Sequence, residues 1–173
     1  MDQQTISQQL KARFGAAILE EISSCNEITL EVEQNSIKNI LTYLKTTPEP
    51  GYDVLIDLTA VDYLEPKKHT KVLYFLYNPT LRTRLCIAFN AQRLSKVPSI
   101  TDLWEGANWY EREIYDLFGL QFEGHPCLSR ILMPDDWEGH PLLRDYALTE
   151  EPVQFKHGVQ PKVPSQIIPY YKG

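Results

Sequence analysis

Between residues 27 and 44 the hydrophobic period of the chain switches once, and that switch restricts what the chain can fold into. In Glu27-Ile28-Thr29-Leu30-Glu31-Val32 polar and apolar residues alternate strictly, the pattern of a strand with one face buried. Directly after it, Ile37, Ile40, Leu41 and Leu44 fall at i, i+3, i+4 and i+7, which puts four apolar side chains on one side of a helix. Asn35 or Ser36 is placed to cap that helix, and Pro48-Glu49-Pro50-Gly51 ends it. A strand and a helix that each have one greasy side must share a core, so the chain has to build helices against a sheet.

The flanking segments fit the same plan. Ile6, Leu10 and Phe14 lie four apart ahead of Gly15, which predicts a short amphipathic helix over residues 5–14. Ala17-Ile18-Leu19 and Ile22 suggest a strand that turns through Ser23-Ser24-Cys25-Asn26 into the alternating one. Three further strands are expected at Val54–Val61, Lys71–Tyr77 and Arg82–Phe89, an antiparallel meander punctuated by Pro66 and by Asn78-Pro79. The fold class is therefore α+β: a mixed or antiparallel sheet with helices on one face. Residues 1–97 form this domain.

After residue 97 the character changes. Ser99 to Asp102 suggests a helical turn, and Ala107–Phe118, closed by Gly119, is a strong helix; residues 98–132 are read as this helix and its connection. Seven of the twelve prolines follow Gly119, with Trp137, Tyr146, Phe155, Tyr170 and Tyr171 among them. A solvated, disordered tail would carry few aromatics. Residues 133–173 are therefore expected to form an extended arm packing on a partner.

The net charge of −6 argues against a nucleic-acid binder, which would show a basic patch. No apolar run is long enough for a membrane-spanning helix, and the first residues lack the pattern of a signal peptide, so a cytoplasmic location, or the cytoplasmic face of a membrane, is expected. Cys25, Cys86 and Cys127 lie far apart, too few and too scattered for a disulfide framework or an iron–sulfur cluster. His69, His125, His140 and His157 show no metal-ligand spacing, and no dinucleotide fingerprint, phosphate loop or nucleophile elbow is present. The parts of an autonomous catalyst are missing.

The most charged element is Trp109-Tyr110-Glu111-Arg112-Glu113-Ile114-Tyr115-Asp116-Leu117-Phe118. Arg112 and Asp116, four apart, can pair along the helix for about 0.2–0.5 kcal/mol if exposed. Glu111, Glu113 and Asp116 could serve as acid and base or hold a hard cation, but they point in different directions, and no single pocket collects all three. A solvated face, an interface ion-pair site and a catalytic site are all open on these residues alone.

From Glu111 onward the sequence resembles a known family. Glu111-Arg112-Glu113, Asp116-Leu117-Phe118, His125 and Arg130-Ile131-Leu132 reproduce the signature of the 30 kDa-type (C) subunit of NADH:quinone oxidoreductase, respiratory complex I. Met133-Pro134-Asp135-Asp136-Trp137, Gly139-His140-Pro141-Leu142 and Arg144-Asp145-Tyr146 are similar to the family as well. One departure stands out: Pro141-Leu142-Leu143-Arg144-Asp145 takes the place of the common Pro-Leu-Arg-Lys-Asp. The resemblance implies a cofactor-free, non-catalytic subunit of the peripheral arm, packed chiefly on the large (D) subunit near the quinone cavity. FMN and iron–sulfur clusters would sit on other subunits, and quinone and NADH would be met only through the complex. Glu111, Arg112, Glu113, Asp116, His125, Arg130, Trp137, His140, Arg144 and Asp145 would then hold helix, arm and partner in register. The equivalent subunit of a membrane-bound hydrogenase or a ferredoxin-fed oxidoreductase is the alternative.

Overall fold

In a computed structural model, residues 3–25, 27–48 and 51–146 are described. The chain runs α1 (Gln3–Phe14), β1 (Ile18–Ser24), β2 (Glu27–Val32), α2 (Ile37–Thr46), β3 (Val54–Tyr63), β4 (His69–Asn78), β5 (Thr83–Gln92), β6 (Lys96–Pro98), α3 (Ala107–Phe118) and β7 (Gln121–Glu123). Five strands form one sheet in the order β1-β2-β5-β4-β3. The meander β3-β4-β5 is antiparallel, as is the β1-β2 hairpin, and β2 joins β5 in parallel through the pairs Thr29–Cys86, Leu30–Ile87 and Glu31–Ala88. The sheet is thus mixed, and the fold is α+β.

The period switch has the expected consequence. Ile28, Leu30 and Val32 of β2 are buried, and Ile37, Ile40, Leu41 and Leu44 of α2 are buried against the same core. Ile6 and Leu10 of α1 and Ala107, Ile114 and Phe118 of α3 join it. Residues beyond position 97 are therefore part of the same hydrophobic core as the meander. Full burial of a Leu or Ile side chain contributes about 1.5–3 kcal/mol, so α2 owes its place to this face more than to its ends. The cap expected from Asn35 or Ser36 is not formed: Ser36 stands at the N-cap without a side-chain hydrogen bond, and a 3-10 turn over Gln34–Ser36 leads into the helix instead.

The end of β3, both ends of β4 and the end of β5 run one to three residues past their sequence-based limits, because ladder pairing continues there. At β3 this places Asp62 at a core-facing position, in step with Leu58 and Ala60. β6 and β7, three residues each and paired in parallel, have no comparable sequence signal; they tie the start and the end of the α3 region together. Among the described residues no helix is long and apolar enough to cross a membrane.

Candidate functional site

Two carboxylates of α3 have no exposure at all: Glu111 and Asp116. The solvated-face reading therefore fails for these two residues, although Glu113, between them, is exposed. The helix is amphipathic, but the side turned away from water includes two acids. A buried carboxylate is costly unless donors surround it, so the donors decide what each acid does.

Asp116 is fully supplied. Arg130 Nη1 donates to its Oδ1 at 2.6 Å, and its Oδ2 accepts the successive backbone N–H groups of Ile131 (3.0 Å), Leu132 (2.8 Å) and Met133 (2.9 Å). Burial alone would raise the pKa of this carboxyl. The N–H groups of Met133 and Leu132, the Arg130 guanidinium and the N–H of Ile131 outweigh it and hold the group below its ordinary value. The carboxylate thus folds residues 130–133 around itself, as an anion bound in a nest of amides does.

Arg130 extends the network. Its Nη2 donates to the carbonyls of Trp137 (2.9 Å) and Gly139 (3.1 Å), and its Nη1 also reaches the Asp116 carbonyl at 3.3 Å. His140 Nδ1 donates to that same carbonyl at 2.8 Å. Leu142 N–H donates to the Leu117 carbonyl at 3.0 Å, so residues 130–142 are hung from the last turn of α3. Arg112 does not pair with Asp116 along the helix. Its Nε and Nη2 donate instead to the carbonyls of Ser129 and Arg130, each at 3.1 Å. His125 Nδ1 accepts the N–H of Cys127 (3.1 Å), which leaves Nε2–H to donate to the Asn108 carbonyl (3.2 Å).

Gly119 makes this packing possible. It closes α3 in the left-handed region at φ +78°, and a Cβ there would lie 2.4 Å from Leu94 Cδ2 and 2.6 Å from the His140 ring. Trp137 contributes its carbonyl to Arg130, while its indole N–H is buried without a hydrogen-bond partner among the described residues.

The remaining two signature residues meet an acid and a base that sequence reasoning passed over. Asp62 is 3% exposed and forms a two-pronged ion pair with Arg93, whose Nε donates to Asp62 Oδ1 at 2.6 Å. The N–H of Arg144 donates to Asp62 Oδ2 at 2.8 Å. Arg93 Nη1 bonds both oxygens of Asp145 (2.9 and 2.8 Å), and Lys68 bonds Asp145 at 2.7 Å. These donors hold the exposed Asp145 carboxyl at a pKa of about 2, with Lys68 the larger influence and Arg93 next. A signal for Asp62 did exist: an ionisable residue at an inward position of an alternating strand needs a partner. Nothing in the sequence pointed to Arg93 as that partner.

Glu111 is the acid that lacks such a shell of donors. Its Oε1 accepts the Ile100 N–H at 2.7 Å, but its Oε2 has no hydrogen-bond partner among the described residues. Burial pushes its pKa up to about 7, against the pull of the Ile100 N–H, the Ser99 hydroxyl and Lys38, and with a small push from Asp102. Lys38 is itself occupied by the Ser99 carbonyl (3.0 Å) and by Asp102 (3.1 Å).

The structure therefore brings Arg112, Asp116, Arg130, Trp137 and His140 into one network, and Arg144 and Asp145 into a second with Asp62 and Arg93. Glu111 stands apart from both on the other side of α3, and Glu113 faces outward. Among the described residues no group of three or more His, Cys, Asp or Glu side chains is arranged to hold a metal ion. The larger part of the expected arm, residues 147–173, lies outside the described residues.

Known proteins share these same residues' stretch of the chain. The sequence model of the family described as "Respiratory-chain NADH dehydrogenase, 30 Kd subunit" matches residues 30–152, which include both networks. The C subunit of NADH-quinone oxidoreductase from Roseiflexus sp. (strain RS-1) is 40% identical over 156 residues, covering 90% of this chain and 90% of that one. Its counterpart in Geobacter sulfurreducens is 40% identical over 141 residues, covering 80% of this chain and 86% of the relative. Among solved structures, a chain of the membrane-bound sulfane sulfur reductase, an archaeal respiratory membrane complex, superposes with a TM-score of 0.72 at 24% identity, covering 84% of this chain and 85% of that one. That likeness is one of fold.

Proposed function

Since the chain belongs to the family of the 30 kDa subunit of respiratory-chain NADH dehydrogenase, the C subunit of NADH-quinone oxidoreductase, we propose that its own part in that complex is architectural. The chain is one subunit of a multi-subunit oxidoreductase, so other subunits are its partners. In this reading it sits in the peripheral arm on the cytoplasmic face, holds no cofactor itself, and supports the large quinone-site subunit through its C-terminal arm. The whole complex would carry electrons from NADH through flavin and clusters to quinone and move protons as it does so.

One observation carries the architectural part. Apart from Glu111, which keeps a free oxygen among the described residues but has no exposure, the inward-facing acids and bases of the signature are consumed in fixing the chain's own shape: Asp116 and Arg130 pair with each other and use their remaining oxygens and nitrogens on residues 131–139. Arg93 likewise spans Asp62 and the signature's Asp145. A group that must accept or release a proton in turnover needs free capacity and a path to substrate. A carboxylate held by one guanidinium and three amides has neither, but it holds a segment where a partner can read it. The charge-assisted bonds are the strong kind, which suits a template that must not rearrange on assembly.

The test is a mild-detergent affinity purification of the tagged chain from its own membranes, with subunit identification, an absorption spectrum and an NADH:quinone assay. Recovery of a large complex with flavin and iron–sulfur absorbance and NADH:quinone activity is expected. A chain that emerges alone, or in a complex that reduces quinone from another donor, would overturn the reading. The second outcome would favour the equivalent subunit of a hydrogenase-type or ferredoxin-fed complex, and the fold shared with an archaeal respiratory membrane complex keeps that version in view.

A further inference from the structure

The inner sides of α3 are committed within the chain, but its outer face is not. Trp109 is 61% exposed, whereas every other apolar or aromatic residue of the helix is buried or half-buried. Glu113, four residues on, is exposed and makes no hydrogen bond or ion pair with any described residue. Positions four apart stand side by side on a helix surface, so an indole and an unpaired carboxylate share one outward patch.

This tryptophan is not left loose. The guanidinium carbon of Arg112 lies over its ring, 5.1 Å from the centroid. That guanidinium is anchored in turn to the carbonyls of Ser129 and Arg130. One face of the indole therefore rests on a cation fixed to the folded chain, while the residue as a whole stays exposed. An aromatic ring already ordered before binding loses little conformational freedom when a partner covers it, a property of the side chains that dominate interface energies.

We propose that Trp109 and Glu113 form a docking point for a basic side chain of an adjoining protein subunit, whose cation lies on the exposed indole and pairs with the Glu113 carboxylate. A lysine or arginine satisfies both groups at once. A purely apolar partner would strip water from Glu113 and leave its charge uncompensated, and an acidic one would be repelled. The net charge of −6 on this chain adds a long-range attraction for a basic surface. The inference rests on the subunit reading above and adds to it the chemistry of the contacting surface.

The experiment uses the intact complex. A photo-reactive phenylalanine derivative at position 109 is expected to cross-link to another subunit, at a segment containing Lys or Arg. In parallel, tagged Trp109→Ala and Glu113→Gln chains are washed at rising salt and the retained subunits quantified. Each is expected to bind its complex about tenfold more weakly than the unmodified chain, with Glu113→Arg weaker still. Glu113→Gln keeps the shape of an exposed side chain, so its loss of retention does not reflect misfolding. Cross-linking to a second copy of this chain, to lipid or to nothing, while the unmodified chain still brings down a complex, overturns the docking point and leaves the subunit reading standing. Undiminished retention of both variants does the same. Failure of the unmodified chain to bring down any complex overturns both.

Discussion

The two ends of α3 set the same problem and solve it in opposite ways. Glu111 and Asp116 are five residues apart on one helix, and each has no exposure. At the C-terminal end, one guanidinium and three backbone amides surround Asp116, and its pKa falls. Toward the N-terminal end, one amide reaches Glu111, one oxygen has no partner among the described residues, and its pKa rises to about 7. Neither side chain is exposed, so exposure alone does not tell the two apart; the donors that oppose desolvation do. The difference follows from the chain. Residues 130–133 wrap their amides around a carboxylate, whereas the loop at Ser99–Trp104 turns on itself, with the N–H groups of Leu103 and Trp104 both donating to the Ile100 carbonyl.

The hardest way to break this contrast is to empty the well-supplied end. Asp116→Ala leaves Arg130 and three amides without their acceptor in a largely buried setting, and is expected to cost about 3–5 kcal/mol. Denaturant unfolding of the purified chain would measure it, and limited proteolysis should show new cleavage within residues 130–142. Retention of wild-type stability would mean that the carboxylate does not organise the segment. Arg130→Ala is the milder test at the same end, because the three amides still hold Asp116. About 2–4 kcal/mol is expected, with Arg130→Lys recovering only part, since an ammonium cannot reproduce the fork that spans Asp116 and the carbonyls of Trp137 and Gly139. Full rescue by Lys would show that charge alone matters there.

Gly119→Ala tests whether the C-terminal end depends on close approach as well as on charge. The left-handed backbone at φ +78° and the contacts of a Cβ with Leu94 and the His140 ring both oppose it. A loss of about 1–3 kcal/mol is expected, accompanied by faster amide exchange at Leu142, whose N–H hangs from Leu117. Unchanged exchange at Leu142 would separate the helix cap from the docking of the segment.

Much of this was legible in the sequence, and the remainder failed for a physical reason. Periodicity is local, so it located β2, α2, the meander and α3, including its closing glycine. Partnerships between titratable groups are not local. Arg112 lay four residues before Asp116, and helical spacing favoured that pair, yet the true partner is Arg130, fourteen positions away and reachable only once residues 119–129 have turned back. Asp62 and Arg93 meet across strands for the same reason. The charged run on α3 reads as a solvated face because a helical projection sees the helix and not what covers it. The signature resemblance did pick out Asp116, Arg130, His140, Arg144 and Asp145, but it could not say that their first duty is to one another and to Asp62 and Arg93.

The finest test of the contrast is its pH dependence, where the two acids should carry opposite signs. For Asp116 the folded pKa lies below the unfolded one, so its stabilising contribution is present above the unfolded value and is lost as pH falls through the folded one. For Glu111 the folded value of about 7 lies above the unfolded 4.5, so between those values the folded chain keeps a proton that the unfolded chain has released. Its effect is thus neutral below about pH 4.5, falls as pH rises, and levels off above about 7. Glu111→Gln abolishes this titration while keeping an oxygen for the Ile100 N–H. The extra amide donor costs the same at every pH, so the variant is expected to lie below wild type near pH 4.5 and to gain on it with rising pH, by about 1–3 kcal/mol between pH 4.5 and pH 8. Thermal unfolding of both chains across that range would measure the difference. A constant offset, independent of pH, would mean that Glu111 is already ionised at the bottom of the range and that some donor completes its shell. The two ends of α3 would then obey a single rule.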